Sequence, residues 1–223
     1  MNDNNIHYRQ NKSFARRIGK SLSPRQKDLL EQKLPSKTFS QENFAVAKNT
    51  EIALEIGFGM GEHFSQMIID NRDKNKFFIG AEVYLNGVVR VLDNLPEADN
   101  FSLWPDDINL LLQKLPLESI SIIYVLFPDP WPKNREKKRR LLQKDFIQKL
   151  LGKLKTGGKF VFASDIADYF GAVADYLSSL EGFSCSIYQE GLPAAYNYTP
   201  TKYHQKATLE SRPSQFLIAQ KTP

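Results

Sequence analysis

The 223-residue chain is long enough for one substantial α/β domain with a short appendage, and its apolar and charged fractions are those of an ordinary globular protein. No apolar run approaches the ~20 residues a membrane span needs, Met1–Asn5 lacks the basic and apolar pattern of a secretion signal, and the lone Cys185 excludes an internal disulfide or a thiolate metal cage, as fits a reducing cytoplasm. The net charge of +5 is segregated: residues 1–37 carry nine basic and three acidic side chains, residues 132–159 carry eleven and two, and the remainder sums to −10, a pattern that predicts a nucleic-acid footprint.

Residues 1–22 are polar and basic with scattered apolar groups, which predicts a mobile arm. Ser23-Pro24 supplies an N-cap and a first-turn proline for a short helix ending before Pro35. Residues 36–50 read as a polar connector, and the main domain occupies 51–223. There the pattern alternates strand and helix: strands at Ile52–Phe58, Phe77–Val83, Phe101–Trp104, Ser119–Phe127 and Lys159–Ala163, with helices over 61–71, 86–94, 107–114, 140–152 and 165–180. Thr156-Gly157-Gly158 reads as a helix stop and turn. Two further strands, Phe183–Gln189 and Gln215–Gln220, are separated by a long loop with three prolines. Near-continuous apolar strands alternating with helices predict a doubly wound, mostly parallel seven-stranded sheet covered on both faces. The last two strands predict an antiparallel C-terminal edge hairpin, the mark of Rossmann-like class I methyltransferases as against nicotinamide-dependent dehydrogenases.

Glu55-Ile56-Gly57-Phe58-Gly59-Met60-Gly61 sits where the first strand turns into the first helix of that domain. Gly57 and Gly59 let backbone pass close beneath a ligand, and the helix start offers free N–H groups. A dinucleotide pyrophosphate requires glycine at the sixth position of the fingerprint, which here is Glu62. Glu55, just before the glycines, repels a pyrophosphate but suits a cationic ligand. Glu82 ends the second strand, where a carboxylate can accept hydrogen bonds from ribose hydroxyls, and Asp107 follows the third, where an adenine would lie. Acids at three successive strand ends predict S-adenosylmethionine, which has a sulfonium and an ammonium and no phosphate.

Phe127-Pro128-Asp129-Pro130-Trp131 closes the fourth strand and runs directly into Lys133-Asn134-Arg135-Glu136-Lys137-Lys138-Arg139-Arg140. An acid braced between prolines beside dense positive charge predicts chemistry on a nucleic acid. Trp131 is open to two readings, a stacking partner for a base or a core residue. His7, His63 and His204 lack metal-ligand spacing, so no metal is expected.

Together with Gly80-Ala81-Glu82-Val83, Ser164-Asp165-x-x-x-Tyr169 and Thr201-Lys202-Tyr203, these motifs resemble the bacterial tRNA (guanine-N7-)-methyltransferase family, from Ser13 almost to the C-terminus. The resemblance implies methylation of the variable-loop guanosine at tRNA position 46, with S-adenosylmethionine and without metal; the expected partner is tRNA, with no membrane, and the expected state a monomer or weak homodimer. It implies cofactor binding by Glu55, Glu82 and Asp107, and an Asp129 that acts both there and at the catalytic centre. Lys133, Asp165, Thr201, Lys202, Tyr203 and His204 would touch substrate, and Arg135, Lys138, Arg139 and Arg140 would hold RNA. Pro132 and Glu136 stand where histidines are common in that family. Its Thr-x-[Phe/Tyr]-Glu-x-[Arg/Lys]-Gly is here Thr201-Lys202-Tyr203-His204-Gln205-Lys206-Ala207, with an imidazole in place of a carboxylate. The alternatives are a methyltransferase acting at another RNA site, or a non-catalytic RNA-binding module.

Overall fold

The computed structural model describes residues 19, 21–47, 50–71, 75–95 and 98–223. Seven strands form one sheet in the order β3-β2-β1-β4-β5-β7-β6. They are β1 (Glu51–Ile56), β2 (Lys76–Ala81), β3 (Phe101–Trp104), β4 (Ile120–Leu126), β5 (Leu154–Ser164), β6 (Phe183–Gln189) and β7 (Gln215–Lys221). The first five pair in parallel, whereas β7 lies antiparallel to both β5 and β6, so the expected doubly wound sheet and edge hairpin are present. The chain has the class I methyltransferase architecture.

The strands read as unbroken apolar runs because each is covered on both faces. Successive side chains point to opposite sides. Ile52, Leu54, Ile56, Ile123, Val125, Phe160 and Phe162 join one core, while Ala53, Tyr124, Leu126, Val161 and Ala163 join the other. Helices α3 (Glu62–Asp70) and α4 (Leu85–Asn94) cover the second face, and α5 (Ile108–Lys114), α6 (Lys144–Leu151) and α7 (Ala167–Ser178) cover the first.

Several boundaries differ from the sequence reading. Helix α1 (Pro24–Lys37) continues through Pro35. Its last turn closes because the Thr38 N–H and hydroxyl both donate to the Leu34 carbonyl at 2.8 Å. The stretch read as a connector holds α2 (Gln41–Val46), started by a reciprocal Ser40–Asn43 capping box. Phe39 and Phe44 are buried there, and Phe39 N–H donates to the Leu103 carbonyl at the edge of β3. Helix α6 begins at Lys144 because Asn134–Arg139 forms a 3₁₀ turn instead. Thr156-Gly157-Gly158 lies inside β5, opposite a register shift at Ile120/Ile122, with Gly157 at φ 78°. The proline-containing loop before β7 holds α8 (Lys202–Leu209), capped by the Thr201 side chain. The expected arm, residues 1–22, lies almost wholly outside the described residues.

Candidate active site

The parallel strands deliver their C-terminal ends to one edge of the sheet, the place where doubly wound sheets bind ligands. After β1 the chain makes a turn in which Gly57, Gly59 and Gly61 all have left-handed φ, from 58° to 78°. A side chain at Gly57 would meet nothing within 4 Å, so this turn presents bare backbone to open space. On its other side it is packed tight: a Cβ on Gly87 of α4 would lie 1.7 Å from the Gly59 carbonyl oxygen. Glu82, one residue past β2, ties the turn in place. Its two carboxylate oxygens accept from the Gly59 N–H at 2.7 Å and the Tyr84 N–H at 2.8 Å. Burial pushes the Glu82 carboxyl up to about 7, although three backbone N–H groups pull the other way; the like charge of Asp129 adds to the rise.

Glu55 and Asp107 are more occupied than their strand-end positions imply. The Glu55 carboxylate is buried beneath the turn and hydrogen-bonded to His63 Nδ1 at 2.9 Å, in contact with α3 and not with the open cleft. Asp107 Oδ1 accepts from the backbone and side-chain N–H groups of Asn109, at 2.7 and 2.9 Å, and so caps α5. Its carbonyl accepts from Trp104 Nε1.

The turn after β4 is bracketed by two strained residues, Phe127 at φ 51° and Trp131 at φ 40°. Left-handed backbone in a bulky residue costs about 1–3 kcal/mol and persists only where surroundings enforce it. Here Phe127 is stacked on the His204 ring (5.3 Å, 16°) and set edge-on to Phe216, while Arg139 lies over the Trp131 ring at 4.9 Å. Trp131 is thus neither core nor a free platform. Between them Asp129 stands exposed at the cleft, with partial desolvation raising its carboxyl above the usual range.

The basic run divides. Lys133, Arg135 and Lys138 are exposed, and their side chains have no partner among the described residues. Arg140 does not fit the expected phosphate contact: it is 6% exposed and its hydrogen bonds are committed inside the protein. Arg139 holds Trp131 and Glu136, and Lys137 pairs with Asp168 at 2.7 Å. The Lys137 ammonium, then the Arg140 guanidinium, hold the Asp168 carboxyl below its ordinary range. Asp165, expected to face substrate, is ion-paired with Arg212.

Helix α8 brings Tyr203 to the cleft. Its ring lies 3.7 Å from where a Gly59 side chain would begin, and burial with the charges of Asp129 and Glu82 raises its hydroxyl. Lys202 is exposed beside it. Thr201 and His204 face inward: the Thr201 hydroxyl caps the helix, and His204 Nδ1 is joined to the Tyr198 hydroxyl at 3.0 Å among Phe127, Tyr198 and Phe216. Burial lowers the His204 pKa, and the ring is packed in the core, not turned out toward substrate as expected. The sequence reading passed over Gly87, Asp168 and Arg212. Of these only Asp168 left a trace, as a second acid beside Asp165 with no assigned work.

Bare backbone over Gly57, a buried carboxylate at the end of β2 and the absence of a basic group in the turn fit a cationic nucleoside such as S-adenosylmethionine. Fold and site together define a class I, S-adenosylmethionine-dependent methyltransferase. The Methyltransf_4 family model ("Putative methyltransferase") matches residues 49–217, and the chain belongs to this family. It is 48% identical over 212 residues to a "Bifunctional methyltransferase" of Rickettsia typhi, covering 94% of this chain but only 40% of that protein. It is also 36% identical over 217 residues to the "tRNA (guanine-N(7)-)-methyltransferase" of Agrobacterium fabrum, covering 92% of each. Among solved structures, the 16S rRNA methyltransferase KamB superposes with a TM-score of 0.56 at 12% identity, over 83% of this chain and 95% of that one. That likeness is one of fold alone. Among the described residues no helix is long and apolar enough to cross a membrane, and no cluster of His, Cys, Asp and Glu could hold a metal ion.

Proposed function

We propose that this chain transfers a methyl group from S-adenosylmethionine to N7 of the variable-loop guanosine, position 46, of tRNA. The observation that carries this reading is the strained turn at the end of β4. It presents Asp129 to the cleft beside Glu82 and Tyr203, and it continues without a break into the exposed cations Lys133, Arg135 and Lys138. The likeness to the Agrobacterium tRNA (guanine-N(7)-)-methyltransferase supports tRNA and guanine N7 as the target.

S-adenosylmethionine, when bound, supplies an electrophilic methyl on a sulfonium. Glu82 and the Gly57–Gly59 backbone would hold its nucleoside end. Guanine N7 has a lone pair and no proton, so no general base is needed. The protein's work is alignment, which can supply ~7–11 kcal/mol of the barrier, and stabilisation of positive charge passing to the base. Asp129 suits both tasks, since a carboxylate accepts from the N1–H and N2–H edge and favours a cationic ring. The exposed Tyr203 would stack on a base drawn out of the RNA.

Incubation with methyl-labelled S-adenosylmethionine and mixed tRNA, followed by nucleoside analysis, tests the reading. Label in 7-methylguanosine, lost when guanosine 46 is changed to adenosine, is the expected result. Label in another nucleoside would assign a different RNA site, and no label would leave binding alone.

A further inference from the structure

We propose that Arg140, with Asp168 and Tyr169, is a positioning clamp that sets the Asp129 turn for methyl transfer. The proposal rests on the assignment of Asp129 to the reaction centre. Arg140 lies ten residues past Pro130 in the densest basic stretch of the chain, yet its side chain is turned into the protein. Arg140 Nε donates to the Pro130 carbonyl at 2.8 Å, and Nη2 donates to both carboxylate oxygens of Asp168, at 3.0 and 3.1 Å. The guanidinium also lies 4.6 Å above the Tyr169 ring, and the Tyr169 hydroxyl accepts from the Leu142 N–H at 2.9 Å. One planar cation thus joins the Pro130 carbonyl, one residue past Asp129, the first turn of α7, and an aromatic ring anchored in the core.

The backbone needs such a hold. Phe127 and Trp131 are left-handed, and prolines at 128 and 130 remove the N–H groups that could otherwise tie the turn into the sheet. Phe127 is fixed from below by His204 and Phe216, and Trp131 from the side by Arg139. Arg140 grips the backbone between Asp129 and Trp131. A guanidinium is required, because only a planar fork can reach a carbonyl and a carboxylate at once while its face covers a ring. The consequence for chemistry is geometric: misplacement of a reacting group by ~1 Å costs about 10²-fold in rate.

The test uses Arg140→Lys, which keeps the charge but not the fork, and Asp168→Asn, whose half-exposed side chain can be neutralised without opening the core. Five quantities are measured on each: turnover at saturating tRNA and cofactor, cofactor affinity, the salt dependence of tRNA binding, the melting temperature, and the ¹⁹F spectrum of protein labelled with 5-fluorotryptophan. The clamp predicts turnover reduced at least tenfold, with cofactor affinity within twofold of wild type and an unaltered salt slope. The Trp131 resonance should shift or broaden while that of Trp104 stays. Unchanged turnover with a flattened salt slope would make Arg140 a phosphate ligand, and a lower melting temperature with unchanged turnover would make it merely structural. Either result overturns the clamp. Should the wild type make no 7-methylguanosine, the tRNA reading fails by itself; the Trp131 resonance still decides, and an unmoved signal in both variants refutes the clamp.

Discussion

Glu82 carries a measurable consequence of its burial. Its carboxyl titrates at about 7 in the folded protein against an ordinary 4.5, so between those values the native state holds a proton that the unfolded chain has lost. Stability therefore falls as pH rises from about 4.5 through 7, by on the order of 3 kcal/mol, and is greatest on the acid side of that window. A ribose hydroxyl donates best to the ionised form, so cofactor affinity should rise across the same window. Calorimetric titration from pH 5.5 to 8.5 should show this for the wild type and a flat profile for Glu82→Gln. Turnover with saturating substrates should need no group titrating near neutrality. His204 makes the opposite point. Restoring the glutamate of the resembled family, His204→Glu, would place a carboxylate among Phe127, Tyr198 and Phe216. Chemical denaturation should show a loss of ~3–5 kcal/mol, the range for an unpaired buried charge, and no gain of activity.

The glycine turn and α4 form a unit at the scale of elements, because Gly87 has no room for a side chain against the Gly59 carbonyl. Gly87→Ala should weaken cofactor binding at least tenfold by lifting the turn off the helix. Gly171→Ala, in α7 with nothing within 4 Å, should instead stabilise the fold by about 1 kcal/mol through helix propensity alone. Melting curves and cofactor titration separate the two. The strands were legible in the sequence because burial on both faces leaves unbroken apolar runs, and the acids at their ends because each follows such a run. Helices α2 and α8 were not, since both are short and their stability comes from caps, Ser40 and Thr201, and from tertiary contacts of residues such as Phe44 and Ala207. The division of labour among the arginines was illegible too. Charge density predicts a basic face, but which cation turns inward depends on where Asp168 and the Pro130 carbonyl arrive in space.

At the scale of the whole molecule, the charge segregation becomes, among the described residues, a division between exposed cations, Lys133, Arg135 and Lys138, and committed ones, Lys137, Arg139 and Arg140. Replacing Lys133, Arg135 and Lys138 together by alanine should weaken tRNA binding and reduce the slope of log affinity against log salt by about 2–3, with cofactor affinity unchanged. Titrations at several salt concentrations check this; an unchanged slope would leave those residues as a solvated face.

The position of β7 sets the order in which a nascent chain can mature. It lies between β5 and β6, so until residues 215–221 have been made β5 lacks a neighbour on that side and β6 lacks the strand that joins it to the sheet. Both edges then carry unpaired backbone groups, an invitation to a strand from another chain. Phe216, which sets the edge of its ring against Phe127, His204 and Tyr198, arrives only with that strand. A ribosome-bound fragment lacking β7 therefore lacks one of the rings that seat the strained turn, and the sheet is sealed from within only once that strand has arrived.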